Sequence, residues 1–198
     1  MPYSPDHAIK SKARITEAAR VLFNKHGFEK VTIDMVMEKA GLTRGGFYRH
    51  FKNKEALYAA AVQSFLMNKG AEWRSDAGID TRNLSPEMAQ QMLDSYLSTK
   101  HLGALEDQCP LIALPSDVAR QAPDVQRAYQ EILTAMVWLF ESTQDGDPAA
   151  QRHRALTMTA LCVGGMVLAR SIPDSDLAEE VRAAAYRAVS EINTPKTP

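Results

Sequence analysis

Apolar residues return every three or four positions along almost the whole of this chain, and nowhere do they alternate with polar residues over the length of a strand. A 3.6-residue period without a two-residue one predicts helices and leaves no candidate sheet, so the expected class is all-α. Ile15, Ala18, Ala19, Leu22 and Phe23 form one stripe, on a first helix expected to end near Gly27. Thr32 suits the N-cap of a short second helix that stops at Ala40-Gly41, and Thr43 that of a third through His50. Asn53 suits the N-cap of a fourth helix reaching about Trp73. Ser75–Ser85, rich in Asp, Gly, Asn and Ser, reads as a loop. Further helices are expected over 86–101, parts of 103–120, 124–142, 150–170 and 175–192. The breaks fall at Cys109-Pro110, Leu114-Pro115, Gln144 to Pro148 and Ser171 to Asp174, because proline disfavours helix before it and starts the next one well. Residues 193–198 are expected to fray.

Charge divides the chain unevenly. Residues 1–54 hold eleven Lys/Arg against five Asp/Glu, whereas residues 55–198 hold twelve against nineteen. A basic head on an acidic body is the distribution expected if only the head meets phosphates. The division predicts two domains, 1–54 and 55–198. Two cysteines without paired spacing, Cys109 and Cys162, argue against a disulfide framework or a Cys-rich zinc site. Met1 to His7 lack the layout of a secretory signal, and the longest weakly polar run, Ala155–Ala169, is too short to span a bilayer. A cytoplasmic protein with no membrane partner is therefore expected.

The head contains Thr32-Ile-Asp-Met-Val-Met-Glu-Lys-Ala-Gly-Leu-Thr-Arg-Gly-Gly-Phe-Tyr-Arg-His-Phe51. Two short helices meeting at Gly41, where a residue tolerant of positive φ is needed, have the layout of a helix-turn-helix. Ile33, Val36, Leu42, Phe47 and Phe51 supply the inward contacts. Arg44, Tyr48, Arg49 and His50 offer donors on the outward side, where the second helix of such a unit enters the major groove. Gly45 and Gly46 each cost roughly 1 kcal/mol relative to alanine inside a helix. Either the backbone approaches DNA too closely for a side chain, or the helix start is loosely wound.

Ala40 to Leu57, with Ala13 to Phe28 upstream of it, resembles the signature of TetR/AcrR-family regulators. The likeness is strong over residues 10–60 and beyond them extends only to length and helix count. It implies an N-terminal three-helix DNA-binding domain and a C-terminal helical domain for ligand binding and dimerisation. It also implies partners: double-stranded operator DNA, a small-molecule effector and a second copy of the chain. On this resemblance Thr32 and Thr43 would bond phosphates at helix N-termini, and Arg44 would reach a base or the adjacent phosphate. Tyr48, His50 and Lys54 would grip the backbone, Arg49 would add a contact, and Gly45 and Gly46 would lie against the groove. Met37 stands where members carry a small residue, and Gly46 where relatives often carry a side chain. The stretch from Gln108 to Leu114 resembles one found in a subset of members.

The body holds Phe65, Trp73, Met88, Met92, Tyr96, Met136 and Trp138, the residue types that line adaptable apolar pockets and also fill ordinary cores. An apolar or aromatic ligand follows, with Tyr96, His101 and Gln130 as polar groups to orient it. Stripes on the last two helices, Leu161, Gly165 and Leu168 with Leu177, Val181, Ala185 and Ala188, suit a two-fold four-helix interface. No nucleophile elbow, phosphate loop, His-Glu-x-x-His or dinucleotide fingerprint occurs, so no catalytic residue, metal or cofactor is expected. The expected function is repression relieved by a ligand. The competing reading is a helical-bundle binder or enzyme with no role on DNA.

Overall fold

The computed structural model describes residues 5–173 and 175–193. The readings made on residues 1–4, Asp174 and 194–198 lie outside them. Among the described residues every regular element is helical. The N-terminal part comprises α1 (Pro5–Lys30), α2 (Ile33–Lys39), a 3-10 turn (Arg44–Arg49) and α3 (Lys54–Met67). The remainder comprises α4 (Lys69–Asp76), α5 (Pro86–Tyr96), α6 (Thr99–Gly103), α7 (Pro110–Ala113), α8 (Pro115–Val118), α9 (Pro123–Ser142), α10 (Pro148–Ser171) and α11 (Asp176–Asn193).

Local chemistry explains most helix starts. The Thr32 hydroxyl accepts from the Met35 N–H at 3.2 Å, and the Asn53 side chain accepts from the Ala56 N–H at 2.8 Å. Proline occupies the first turn of α5, α7, α8, α9 and α10, where its missing N–H costs nothing. The helical path of α1 breaks at Gly27, whose φ of 76° and ψ of 170° lie outside the helical region.

Three helices depart from expectation. The third is a 3-10 turn rather than an α-helix, and Thr43 makes no side-chain cap bond to it; paired glycines leave too little α propensity over six residues. The fourth does not reach Trp73. It breaks at Asn68, and the chain doubles back so closely that a Cβ on Gly70 would lie 2.7 Å from the Phe65 carbonyl oxygen. The helix expected over 86–101 divides after Tyr96, because Ser98 caps a new one by accepting from the His101 N–H at 3.1 Å.

One apolar core runs through both parts of the molecule. In the head, Ile15, Phe23, Val36, Phe47 and Leu57 are buried, and Tyr58 packs its ring 4.6 Å from Phe23 and 5.0 Å from Phe28. Helix α3 lies between α1 and α9, α9 packs on α10, and α10 on α11. Residues 104–118 run beneath the C-terminal half of α1 and bind it through polar contacts. Arg20 donates to Glu17, to Asp107 at 3.0 Å and to the Glu106 carbonyl at 2.7 Å. Asn24 donates to the Gln108 carbonyl at 2.8 Å, and the Asp117 carboxylate accepts from the Phe28 N–H at 2.9 Å. Arg170 of α10 joins the same boundary, donating to the Asn24 carbonyl at 3.2 Å and to the Ile112 and Ala113 carbonyls at 3.2 and 2.9 Å.

Candidate nucleic-acid interface and effector cavity

Gly41, at φ 63°, turns the chain between α2 and the 3-10 turn, and a Cβ there would meet the Arg14 guanidinium at 2.9 Å. Arg14 donates to the Ala40 carbonyl at 2.5 Å, bracing the turn from α1. Phe47 is fully buried beneath the 3-10 turn, and this fixes which side faces outward. Thr43, Arg44, Gly45, Tyr48 and Arg49 are exposed on that turn, and His50 is half-buried. Thr32 is also exposed, its oxygen already serving as the α2 cap. Arg44 extends to the Asp34 carboxylate at 2.8 Å, in a pair exposed enough to exchange one anionic partner for another.

Neither glycine of the 3-10 turn answers to internal packing. A Cβ on Gly45 would meet nothing within 4 Å, and one on Gly46 would make only ordinary contact with the Met37 side chain at 3.7 Å. Their φ angles are not positive either. Lys54 is placed differently from the phosphate contact expected of it. Its ammonium donates to the Phe28 carbonyl at 2.9 Å and the Val31 carbonyl at 3.1 Å, and stands 4.0 Å from the Phe28 ring centroid. Lys54 thus ties the end of α1 to the start of α3.

In the body, Phe65, Trp73, Met92, Tyr96, Met136 and Trp138 line one cavity of about 300 Å³ between the end of α3, α4, α5 and α9. Met88 packs against the core outside the lining, and Gln130 is exposed and away from it. His101, Cys109 and Leu111 close the inner wall. His101 lies 4.9 Å from the Tyr96 ring and 5.7 Å from that of Trp73. Its Nδ1 lies 2.8 Å from the Tyr96 carbonyl and its Nε2 accepts from the Cys109 N–H at 3.3 Å. These partners set the neutral tautomer protonated at Nδ1 and leave neither nitrogen to orient a ligand. Burial pushes the Cys109 thiol up to about 12, so it stays protonated and unreactive.

His101 carries a pH signature. Burial lowers its pKa, and the hydrogen bond to Tyr96 only partly opposes this. A base lowered in the folded state contributes full stability above its unfolded pKa, about 6.5, and loses it as pH falls through the folded value. The melting temperature is therefore expected to drop as pH falls below about 6.5, and less so in His101→Gln. Equal pH dependence of the two proteins in a thermal melt would contradict this.

The interface expected on the last two helices divides in two. Gly165 and Ala185 are buried against each other inside the protomer, where a Cβ on Gly165 would fall 2.5 Å from that of Ala185. Leu168 and Leu177 remain exposed by 60% and 57%, with Leu161, Val181 and Ala188 half-buried. The roles of Arg14, Arg20, Asn24, Asp107 and Asp117 were not legible in the sequence, because the contacts that matter here reach across the fold, 26 to 89 residues away.

Comparison with known proteins fits this architecture. Residues 15–61 match the family model for bacterial regulatory proteins of the tetR family. The HTH-type transcriptional regulator TtgR of Pseudomonas putida is 41% identical over 59 residues, 30% of this chain and 28% of that protein. An HTH-type transcriptional repressor of Mycobacterium tuberculosis is 24% identical over 131 residues, 65% of this chain and 61% of the other. YfiR of Bacillus subtilis, an HTH-type transcriptional regulator, is 34% identical over 76 residues. The chain spans 37% of YfiR and 61% of the mycobacterial repressor, less than two thirds of either. Solved structures share the whole fold. A TetR-family regulator from Cytophaga hutchinsonii superposes with a TM-score of 0.74 at 19% identity, over 96% of this chain and 98% of that one. One from Legionella pneumophila gives 0.69 at 22% identity, over 95% and 99%. The head of the chain is thus matched by the tetR-family model, and its whole length has the fold of solved TetR-family regulators.

Proposed function

We propose that the protein is a cytoplasmic, dimeric repressor that leaves its operator when a small apolar or aromatic compound fills the cavity. The observation that carries this reading is a shared segment. His101, Cys109 and Leu111 form the cavity's inner wall, and Glu106, Asp107, Gln108 and Asp117 of the same stretch hold the C-terminal half of α1. A ligand that reshapes the wall acts on the groups that set the angle of the head. The last turn of α3 lines the cavity as well, so both helices that carry the reading turn are within reach. Two heads must stand about one helical turn, ~34–36 Å, apart to read successive major grooves, so a small change of angle suffices to misplace them. The exposed Leu168–Leu177 face supplies the dimer contact. Among the described residues no helix is long and apolar enough to cross a membrane.

Thr43, Arg44, Tyr48, Arg49 and His50 are the residues proposed to meet DNA, with Thr32 at the start of α2. Arg44 has the best geometry for a base edge, because guanidinium can bond guanine through two donors. Gly45 and Gly46 face the groove, which explains two glycines that internal packing does not require.

The test is to select duplexes from random DNA with the purified protein and titrate the selected sequence against salt. Affinity should fall by roughly three orders of magnitude between about 50 and 200 mM if six or more phosphates are neutralised. Gly45→Val should leave the melting temperature unchanged and weaken operator binding at least roughly tenfold, since its side chain would project only toward the groove. Retention of DNA that does not respond to salt, or no selected sequence at all, would favour the helical-bundle binder without a role on DNA.

A further inference from the structure

Among the described residues the cavity is lined by one guanidinium, Arg74, that no carboxylate answers. Most of its wall is apolar or aromatic, and most of its polar groups are already committed. Both His101 nitrogens are bonded and the Cys109 thiol is protonated, while the Tyr96 hydroxyl has no hydrogen-bond partner but is sealed within the wall, with no surface open to the cavity. What remains is Arg74 on α4 and, at the rim, the exposed Thr81. Arg74 is half-buried and donates to the Leu66 carbonyl at 2.8 Å, which leaves the rest of its donor fork for a second partner. No described carboxylate lies within ion-pair distance of it, whereas Arg20, Arg44, Arg82, Arg120, Arg127, Arg152 and Arg182 each have one. Burial lowers its pKa with no compensating charge nearby. A guanidinium remains protonated despite such a shift, so its charge persists.

A partly desolvated cation facing an apolar cavity is stabilised by an anion that brings its own apolar body. One carboxylate matches the single charge and the two-pronged fork, whereas a phosphate dianion would bury an excess negative charge. The rings of Phe65, Trp73, Tyr96 and Trp138 offer flat walls, and about 300 Å³ is at the small end of ligand pockets. Resting on the reading of this cavity as the effector site, we propose that its ligand is a compact aromatic carboxylate. Its ring lies among the aromatic walls and its carboxylate on the Arg74 guanidinium.

The test uses two probes of the same ring and nearly the same size, 2-naphthoate and 2-naphthylmethanol, titrated calorimetrically into the full chain near pH 7.5. The parent should bind the carboxylate at least roughly tenfold tighter than the alcohol, the advantage expected of a charge-assisted pair. Arg74→Gln should abolish that preference while still binding the alcohol, and Arg74→Lys should keep part of it. Equal affinity of the two probes for the parent overturns the carboxylate assignment and leaves the cavity standing as an effector site. A preference that survives in Arg74→Gln overturns the role of Arg74. If neither probe binds the parent, the aromatic carboxylate falls, and operator release screened with neutral compounds then decides whether the cavity reading falls with it.

Discussion

Leu168→Glu is expected to give a folded monomer that no longer holds its operator. Leu168 is 60% exposed and Leu177 57% exposed in the isolated protomer, and Leu156, about three turns before Leu168 on α10, is 46% exposed. Fully burying a leucine is worth about 1.5–3 kcal/mol, and a two-fold axis doubles each residue's contribution. In the monomer a glutamate at 168 stays hydrated and disturbs no internal contact. In the dimer it would be buried twice without a cation, at a cost of several kcal/mol. Leu168 is a cleaner site than Val181, whose carbonyl would lie 3.9 Å from a Cβ on Gly165, inside the α10–α11 packing of the protomer itself. A single head reaches one half-site, so operator affinity should drop by at least about two orders of magnitude once the second head is lost. Sedimentation should report one protomer mass, and circular dichroism an unchanged helical spectrum. A Leu168→Glu protein that still sediments as a dimer would place the interface elsewhere.

What could be read from the sequence, and what could not, follows from the range of each interaction. Thr32 and Asn53 each act three residues away, and the prolines act on their own turn, so these helix starts were legible. So was the turn at Gly41, where a positive φ is a property of one residue. The breaks after Met67 and Tyr96 were not, since one follows from the fold of Gly70 onto Phe65 and the other from a competing cap at Ser98. The glycine pair signalled a weak helix, but only the space around Gly45 and Gly46 separates a packing reason from an external one. Phe65, Trp73, Met92, Tyr96, Met136 and Trp138 line the cavity as expected, whereas Met88 packs outside it, and Met158, Met166 and Phe140 of the same residue types fill the core elsewhere. Lys54 illustrates the opposite case. A lysine at an exposed helix start looks free in sequence, and its two carbonyl partners are 23 and 26 residues away. Arg20, Asn24 and Asp107 are likewise ordinary residues until residues 104–118 are brought under α1.

Arg20→Met tests whether that contact carries the signal between cavity and head. Arg20 is 2% exposed, and its bonds to Glu17, Asp107 and the Glu106 carbonyl all end with the substitution. Breaking a buried pair costs about 3–5 kcal/mol, but Glu17 and Asp107 are half-exposed and can rehydrate, so roughly 2–3 kcal/mol is the better expectation. At about 2–4 °C per kcal/mol for a chain of this size, the melting temperature should fall by roughly 5–10 °C. Lys25→Ala is the control. It removes an exposed pair with Glu106 across the same boundary, at 3.1 Å, and should cost less than about 1 kcal/mol. The link should hold at neutral pH. Burial tends to raise the Asp107 carboxyl, but bonds from Lys69 and Arg20 outweigh it and hold the group below its usual value. A carboxylate depressed in the fold contributes fully above its unfolded pKa, about 4, and loses that contribution only as pH falls through the folded value. The second readout is induction. Effector coupling is typically worth 1–3 kcal/mol, or about 5–150-fold in operator affinity. With Arg20 gone, the inner wall of the cavity can still move, but it has lost its buried ionic hold on α1. Arg20→Met should therefore bind operator and cavity ligands separately, with the effect of one on the other reduced toward unity, while Lys25→Ala keeps the coupling of the parent. Release of the operator from Arg20→Met as readily as from the parent would show that the signal travels through the last turn of α3 instead.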